Sequence, residues 1–219
     1  MALSQRDATS DVDCYARGMA RYHPATALVV VDVQNDFADL AGSLSVAGGG
    51  AIIPTINAEI AQADEGGGVT VFTQDWHPES TPHFAKDGGI WPVHCVAETW
   101  GAQLHPDLAV PDDALRIRKG ASGEDGYSGF TMRDPTTGEE KPTELDGLLR
   151  DRGIEHVVVV GLATDYCVKA TALDAVRLGY EARVLTDAVA AVDLTPGDGA
   201  LAIYEMAAAG VGLSQTRMR

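Results

Sequence analysis

The chain has 219 residues, 45% of them hydrophobic, and a formal net charge of -16. That length and apolar content suit one α/β domain with a full core. A field of that sign repels nucleic acid phosphates and anionic lipid, so both are poor partners, and no apolar run approaches the ~20 residues that cross a bilayer.

Residues Met1 to Ala25 show no clean period and end in His-Pro; they are expected to form an N-terminal arm with room for one short helix, before a domain over 26–219. The arm carries Asp7, Asp11, Asp13 and Arg17 and lacks the basic start and apolar stretch of a signal peptide, which points to the cytoplasm. Ala27 to Val33 is a continuous apolar run of strand length, as in strands buried on both faces. Gly48-Gly49-Gly50 introduces a helix-like stretch from Ile52 to Ala63, which Gly66-Gly67-Gly68 stops. Val69 to Thr73 reads as a strand. An irregular region rich in Pro, Gly and His runs to Pro111, followed by a strand at Leu115 to Arg118 and a loop from Gly120 to Pro142. Helix character returns at Thr143 to Arg152, with Gly153 as its stop. His156 to Val160 is a second buried strand, Asp165 to Leu178 a helix, Glu181 to Leu185 a strand, and Asp198 to Ala209 the last helix. Alternating strands and helices predict a single-domain, mostly parallel sheet with helices on both faces.

In such sheets ligands sit beyond the carboxyl ends of the strands. The chemically able residues fall there: Asp32 after the first strand, Asp75 and His77 after the second, Lys119 after the third, and Cys167 after the His156 strand. A thiol at a helix start feels the positive end of the dipole, which favours thiolate, and free amides there can hold an oxyanion. A buried cysteine with no chemistry is the other reading, and position alone leaves the two open. Asp32 is either a general base or a turn cap. Lys119 is either a solvated surface lysine or a fixed cation that balances charge.

Asp75 and His77 stand two apart at a strand end, so both side chains can leave the same side. With His94 and His83 nearby in sequence, mixed imidazole and carboxylate donors suit zinc, iron or manganese. His23, His105 and His156 lack such companions. The three cysteines, Cys14, Cys95 and Cys167, are far apart and form no C-x-x-C pair. This argues against a disulfide framework and suits a reducing compartment. Cys95, beside His94, reads as packing.

Four blocks occur in order: Val31-Asp32-Val33-Gln34-Asn35-Asp36-Phe37, Asp75-Trp76-His77-Pro78, Trp91-Pro92-Val93-His94-Cys95-Val96, and Gly161-Leu162-Ala163-Thr164-Asp165-Tyr166-Cys167-Val168, with Lys119-Gly120 between the last two. Together they resemble the isochorismatase-like cysteine hydrolases, and within them the nicotinamidase/pyrazinamidase group, from about Ala27 to Gly210. The resemblance implies a Rossmann-like three-layer sandwich and a triad of Asp32, Lys119 and Cys167. It implies an oxyanion hole from the amides of Ala163 and Cys167, with a cis bond before Ala163. Phe37, Trp91 and Tyr127 would line the substrate pocket. Asp75, His77 and His94 would hold one divalent metal, zinc before iron or manganese, with His83 as a further ligand in some members. The implied reaction turns nicotinamide into nicotinate and ammonia, and pyrazinamide into pyrazinoate, through a cysteine thioester.

The rival within the fold is a metal-independent carbamoyl or ureido amidohydrolase, which the Asp75, His77 and His94 set argues against. An isochorismatase proper does not need the cysteine. A non-catalytic binding module would have lost part of the triad, and none is lost. The expected partner is a small-molecule amide, with no nucleic acid and no membrane; a homo-oligomer stays open.

Overall fold

The computed structural model describes residues 21–216; Cys14 and residues 1–20 of the expected arm lie outside the described residues. Six strands form one parallel sheet: β1 (Thr26–Val31), β2 (Val69–Asp75), β3 (Leu115–Lys119), β6 (His156–Leu162), β7 (Glu181–Ala190) and β8 (Gly212–Ser214), in the spatial order β3-β2-β1-β6-β7-β8. A short antiparallel hairpin, β4 (Thr131–Arg133) and β5 (Glu140–Pro142), stands apart from it.

Every residue of β1 is buried, which is what a strand covered on both faces requires. Its side chains divide between two cores. Leu28 and Val30 join Phe72, Val158 and Val160 on one face, packed by Ile53, Ile56, Ile60 and Ala63 of α2 (Ile53–Glu65). That 3–4–3 spacing makes one apolar stripe on the helix, and Pro54 fits its first turn, where an amide hydrogen would be idle. Ala27, Val29 and Val31 face the other way. They meet Leu145 and Leu149 of α3 (Leu145–Asp151), Ala172 and Ala175 of α4 (Lys169–Arg177), and Met206 of α5 (Asp198–Ala208). The result is the three-layer α/β sandwich expected. A one-turn helix, α1 (Asn35–Ala38), follows β1. No helix among the described residues is long and apolar enough to cross a membrane.

Three local expectations change. The stretch Asp165 to Leu178 is not one helix: Thr164–Val168 makes a π-type turn before α4 begins, and such wide turns recur at functional sites. The loop Gly120 to Pro142 contains β4 and ends on β5, whose residues are half-buried or exposed and give no apolar run. The strand Glu181 to Leu185 continues to Ala190, and β8 adds an edge.

The chain runs outward from β1 in both directions, so the order reverses between β1 and β6. These two strands approach closely at Gly161, whose φ is +113° and where an added Cβ would lie 2.1 Å from the carbonyl oxygen of Val31. The end of the arm is also fixed. Buried Tyr22 donates its hydroxyl hydrogen to Glu59 of α2 at 2.7 Å, and Arg21 pairs with the same carboxylate at 2.5 Å.

Candidate active site

Asp32 leaves β1 at the reversal point with φ 49°, a left-handed conformation that aspartate tolerates better than most residues. Its carboxylate is fully buried. Oδ1 accepts the Thr73 hydroxyl at 2.6 Å and Oδ2 accepts from Lys119 Nζ at 2.7 Å. Lys119 is not the solvated lysine of one sequence reading; it is 1% exposed. Its ammonium also lies 2.9 Å from Asp75 Oδ1, 3.2 Å from the Tyr127 carbonyl and 3.4 Å from Cys167 Sγ. An oxygen from each acid and the Cys167 sulfur lie within 4.8 Å of one another, and the lysine ammonium bonds all three groups.

The electrostatics follow from that burial. Desolvation raises the Asp32 carboxyl above its ordinary range against the pull of Lys119. Desolvation also pushes the Cys167 thiol well above its usual value; Lys119 pulls it down, and Asp32 and Asp75 push it up again. Burial thus opposes the helix-start dipole, which favours thiolate. For Lys119, burial favours the neutral amine, but Asp32 and Asp75 overcome it and hold the ammonium well above its usual range. Asp75 is the converse case: burial would raise it, but Lys119, His77 and His94 keep it well below.

Beside this group stand His77, His83 and His94, each with a ring nitrogen within 4.8 Å of the others. Asp75 Oδ2 faces them, 3.8 Å from His77 Nε2 and 3.9 Å from His94 Nε2. His94 Nδ1 lies 2.8 Å from the Pro92 carbonyl, and His83 Nδ1 lies 2.8 Å from Asp125; in both rings Nε2 is left for another partner. His77 is 3% exposed, yet neither of its nitrogens has a hydrogen-bond partner. A buried orphan imidazole facing two others and a carboxylate is a site these residues could fill with a metal. Desolvation lowers His94 to about 4, so its imidazole is neutral, as a ligand must be. His83, set beside Asp75, His77 and His94 on sequence grounds as a secondary candidate, is within the cluster.

The blocks that flank these residues act as clamps. Gln34 accepts from the Asp75 amide at 2.8 Å and donates to the Asp75 carbonyl at 2.7 Å. Asn35 donates to the Trp100 carbonyl, and Asp36 accepts from the Cys95 amide at 2.7 Å, fixing the turn that carries His94. Asp165 accepts the amides of Val192 and Asp193 at 3.0 and 2.8 Å. Thr73, Gln34, Asp36 and Asp165 were not legible as site residues. Their signal is a polar side chain at a buried position flanking a chemical one.

A pocket opens onto both groups, reaching Cys167 and Asp75 on one side and His83 and His94 on the other. Phe37, Trp91 and Tyr127 line it, and so do Ala163 and Cys167. Tyr166, missed on sequence, adds a third ring to a cluster in which Trp91 meets it edge-on at 4.9 Å and Tyr127 lies 5.3 Å away. The Leu162–Ala163 bond is cis. Cys95 is fully buried and away from the cavity lining.

The isochorismatase domain model matches residues 26–217. The nicotinamidase of Escherichia coli (strain K12) is 40% identical over 206 residues, covering 87% of this chain and 94% of the relative. The pyrazinamidase of Pyrococcus horikoshii, solved in complex with zinc, superposes with a TM-score of 0.79 at 40% identity, over 88% of this chain and all of that one. PnC1 of L. infantum, solved in complex with nicotinate, gives 0.81 at 37% identity, over 89% and 94%. A ureidoacrylate amidohydrolase of Pseudomonas syringae is less similar, 32% identical over 74% of this chain and 69% of its own length. With its sheet order, its buried acid, lysine and cysteine, and this match along nearly all of the described chain, the protein belongs to the isochorismatase family and groups with the nicotinamidases within it.

Proposed function

We propose that the chain hydrolyses nicotinamide to nicotinate and ammonia, and pyrazinamide to pyrazinoate, with Asp32, Lys119 and Cys167 as catalytic residues. One observation carries the reading: the buried Asp32–Lys119–Cys167 group and the His77–His83–His94 cluster open on the same aromatic cavity, joined by the two oxygens of Asp75.

Phe37, Trp91 and Tyr127 offer a heteroaromatic ring apolar faces to pack on. Asp32 takes the thiol proton of Cys167. Burial raises both groups, and Lys119 pulls each back down toward its charged form. The sulfur attacks the amide carbon, and the Ala163 and Cys167 amides hold the oxyanion. Asp32 returns the proton to the leaving nitrogen, ammonia departs, and Asp32 then activates the water that cleaves the thioester. Lys119 stays charged throughout and balances whichever of Asp32 and Cys167 is the anion.

Asp75, His77 and His94, with His83, would hold one divalent metal, zinc by donor type, with iron or manganese also compatible. When bound, it supplies a coordination position for a pyridine ring nitrogen and so orients the amide. The fit rests on the unpartnered nitrogens of His77. A metal-free carbamoyl or ureido hydrolase of the same fold would leave that buried imidazole unsatisfied. We place the enzyme in the cytoplasm, where its free buried cysteines Cys95 and Cys167 stay reduced.

The test is ammonia release from nicotinamide by the purified protein, with elemental analysis, before and after chelation. Stoichiometric metal and turnover lost to chelator and regained with zinc support the reading. Metal-free protein with full turnover in excess chelator would return the metal-independent amidases to first place.

A further inference from the structure

His83 differs from the other histidines of the cluster in what holds it. His77 is buried under Phe84, and His94 is tied to the Pro92 carbonyl within its own turn. The partner of His83 lies 42 positions along the chain: Asp125 Oδ1, 2.8 Å from Nδ1. Asp125 is in turn fixed from three sides. Its Oδ1 accepts the Gly126 amide at 2.8 Å, and its Oδ2 accepts from Arg133 at 3.0 Å. Its own amide and carbonyl make a reciprocal pair with the backbone of Arg133, at 2.7 and 2.5 Å. Arg133 is the last residue of β4, so the carboxylate is anchored to the hairpin. Two residues on, Tyr127 accepts from Lys119 through its carbonyl and from Trp91 Nε1 through its hydroxyl, at 3.2 and 3.1 Å.

We propose that Asp125 is a positioning residue for the metal centre: it orients His83 and fixes its tautomer, so that His83 serves as a protein ligand to the bound ion. A carboxylate on Nδ1–H leaves Nε2 as the basic nitrogen and makes it a stronger donor to a divalent cation, and losing such an outer partner typically costs roughly 10–100-fold in metal affinity. The segment from Asp125 to Tyr127 then joins three functions through adjacent backbone: it holds a metal ligand, walls the ring pocket and steadies the catalytic lysine. It also gives the hairpin β4–β5, which lies outside the main sheet, a role in assembling the site. The inference rests on the reading of the histidine cluster as a metal centre, but not on the substrate.

The experiment measures the ion itself, with no substrate present. Zinc affinity is read by competition with a chelating dye, and the site's geometry by the visible absorption of the cobalt(II)-substituted protein, for wild type, Asp125→Ala, Asp125→Asn, Arg133→Ala, His83→Ala and the double variant Asp125→Ala/His83→Ala. Asp125→Ala is expected to weaken zinc binding at least about tenfold and to change the cobalt spectrum. Asp125→Asn, which keeps an acceptor, recovers part of the loss, and Arg133→Ala gives a smaller loss in the same direction. The double variant is no worse than His83→Ala, because the two residues act through one nitrogen. Wild-type zinc affinity and spectrum in folded Asp125→Ala would overturn the proposal, as would additive losses in the double variant or a wild type that binds no ion. If Asp125→Ala does not fold, Asp125→Asn and Arg133→Ala decide the matter by the same two signals. Nicotinamide turnover is assayed separately; its absence with metal binding intact would sink the proposed reaction and leave Asp125 in its role.

Discussion

Lys119 Nζ lies 2.9 Å from Asp75 Oδ1, while the other oxygen of the same carboxylate faces His77 and His94. One acid therefore serves two neighbourhoods: its charge balances the lysine beside Cys167, and its second oxygen is turned to the histidines. Asp75→Asn should disturb both, weakening zinc binding and lowering turnover, whereas His77→Ala should weaken zinc binding while leaving the rate of Cys167 alkylation by a small reagent near wild type. The paired measurement is dye competition and alkylation kinetics. Equal effects of the two substitutions on the thiol would refute the division.

Cys167→Ala should take turnover to the limit of detection with the fold intact, and Cys95→Ala should keep catalysis, since Cys95 is buried away from the cavity lining. Asp32→Asn, which keeps the size and loses the base, should cost at least ~10²-fold. Steady-state rates with nicotinamide check all three. Near-wild-type activity in Asp32→Asn would remove Asp32 from proton transfer.

The raised carboxyl of Asp32 has a signature in pH. It must be ionised to accept the thiol proton, and burial keeps it protonated to higher pH than a free aspartate. The acid limb of kcat/KM should therefore have an apparent pKa above the ~3.9 of the free side chain. A limb at or below that value would contradict the assignment.

Gly120 has φ +77°, and an added Cβ there would sit 2.6 Å from His77 Nδ1. Gly120→Ala should tilt or displace that ring and cost roughly tenfold or more in zinc affinity. Circular dichroism should show the sheet retained. Unchanged affinity would mean that the loop moves instead of the imidazole.

Glu59 is fully buried on α2; Arg21 and Tyr22 hold its Oε2, and Gln62 donates to its Oε1. Arg21→Ala leaves that carboxylate without its cation and should destabilise the protein by ~3 kcal/mol in urea denaturation. Tyr22 adds a pH dependence, because burial and Glu59 raise its phenol well above the ordinary range. The native state keeps a proton that the unfolded chain gives up, so stability is present below pH ~10 and falls as pH rises beyond it. Tyr22→Phe should flatten that alkaline fall; an unchanged slope would show that other groups cause it.

The apolar run in β1 was readable because a strand buried on both faces must be apolar throughout, and Gly-rich stops marked the ends of α2 and α5. Asp32, Lys119 and Cys167 were legible as candidates because each stands at or beyond the carboxyl end of a strand, where the sheet gathers them; position left their roles open, and the triad came from the family resemblance. The hairpin was not readable, because β4 and β5 carry Thr, Arg, Glu and Lys and draw their order from contacts such as Arg133 with Asp125. The burial that acts on Cys167 was not legible for a related reason: a helix start is a local feature, whereas burial is set by residues far apart in the chain. The contact of His83 with Asp125 was not legible either, since no spacing rule joins two residues 42 positions apart.

Gly161 allows β6 to approach β1 so closely that any side chain there would meet the Val31 carbonyl. Val31 immediately precedes Asp32, and Gly161 lies six residues before Cys167. In the proposed mechanism, the separation that the proton crosses therefore depends on the absence of a side chain at Gly161 on the neighbouring strand. Filling that position would act as a wedge between the two halves of the sheet, parting acid from sulfur without touching either, and the stroke length of the proposed chemistry is fixed in the backbone before any reactive side chain is placed.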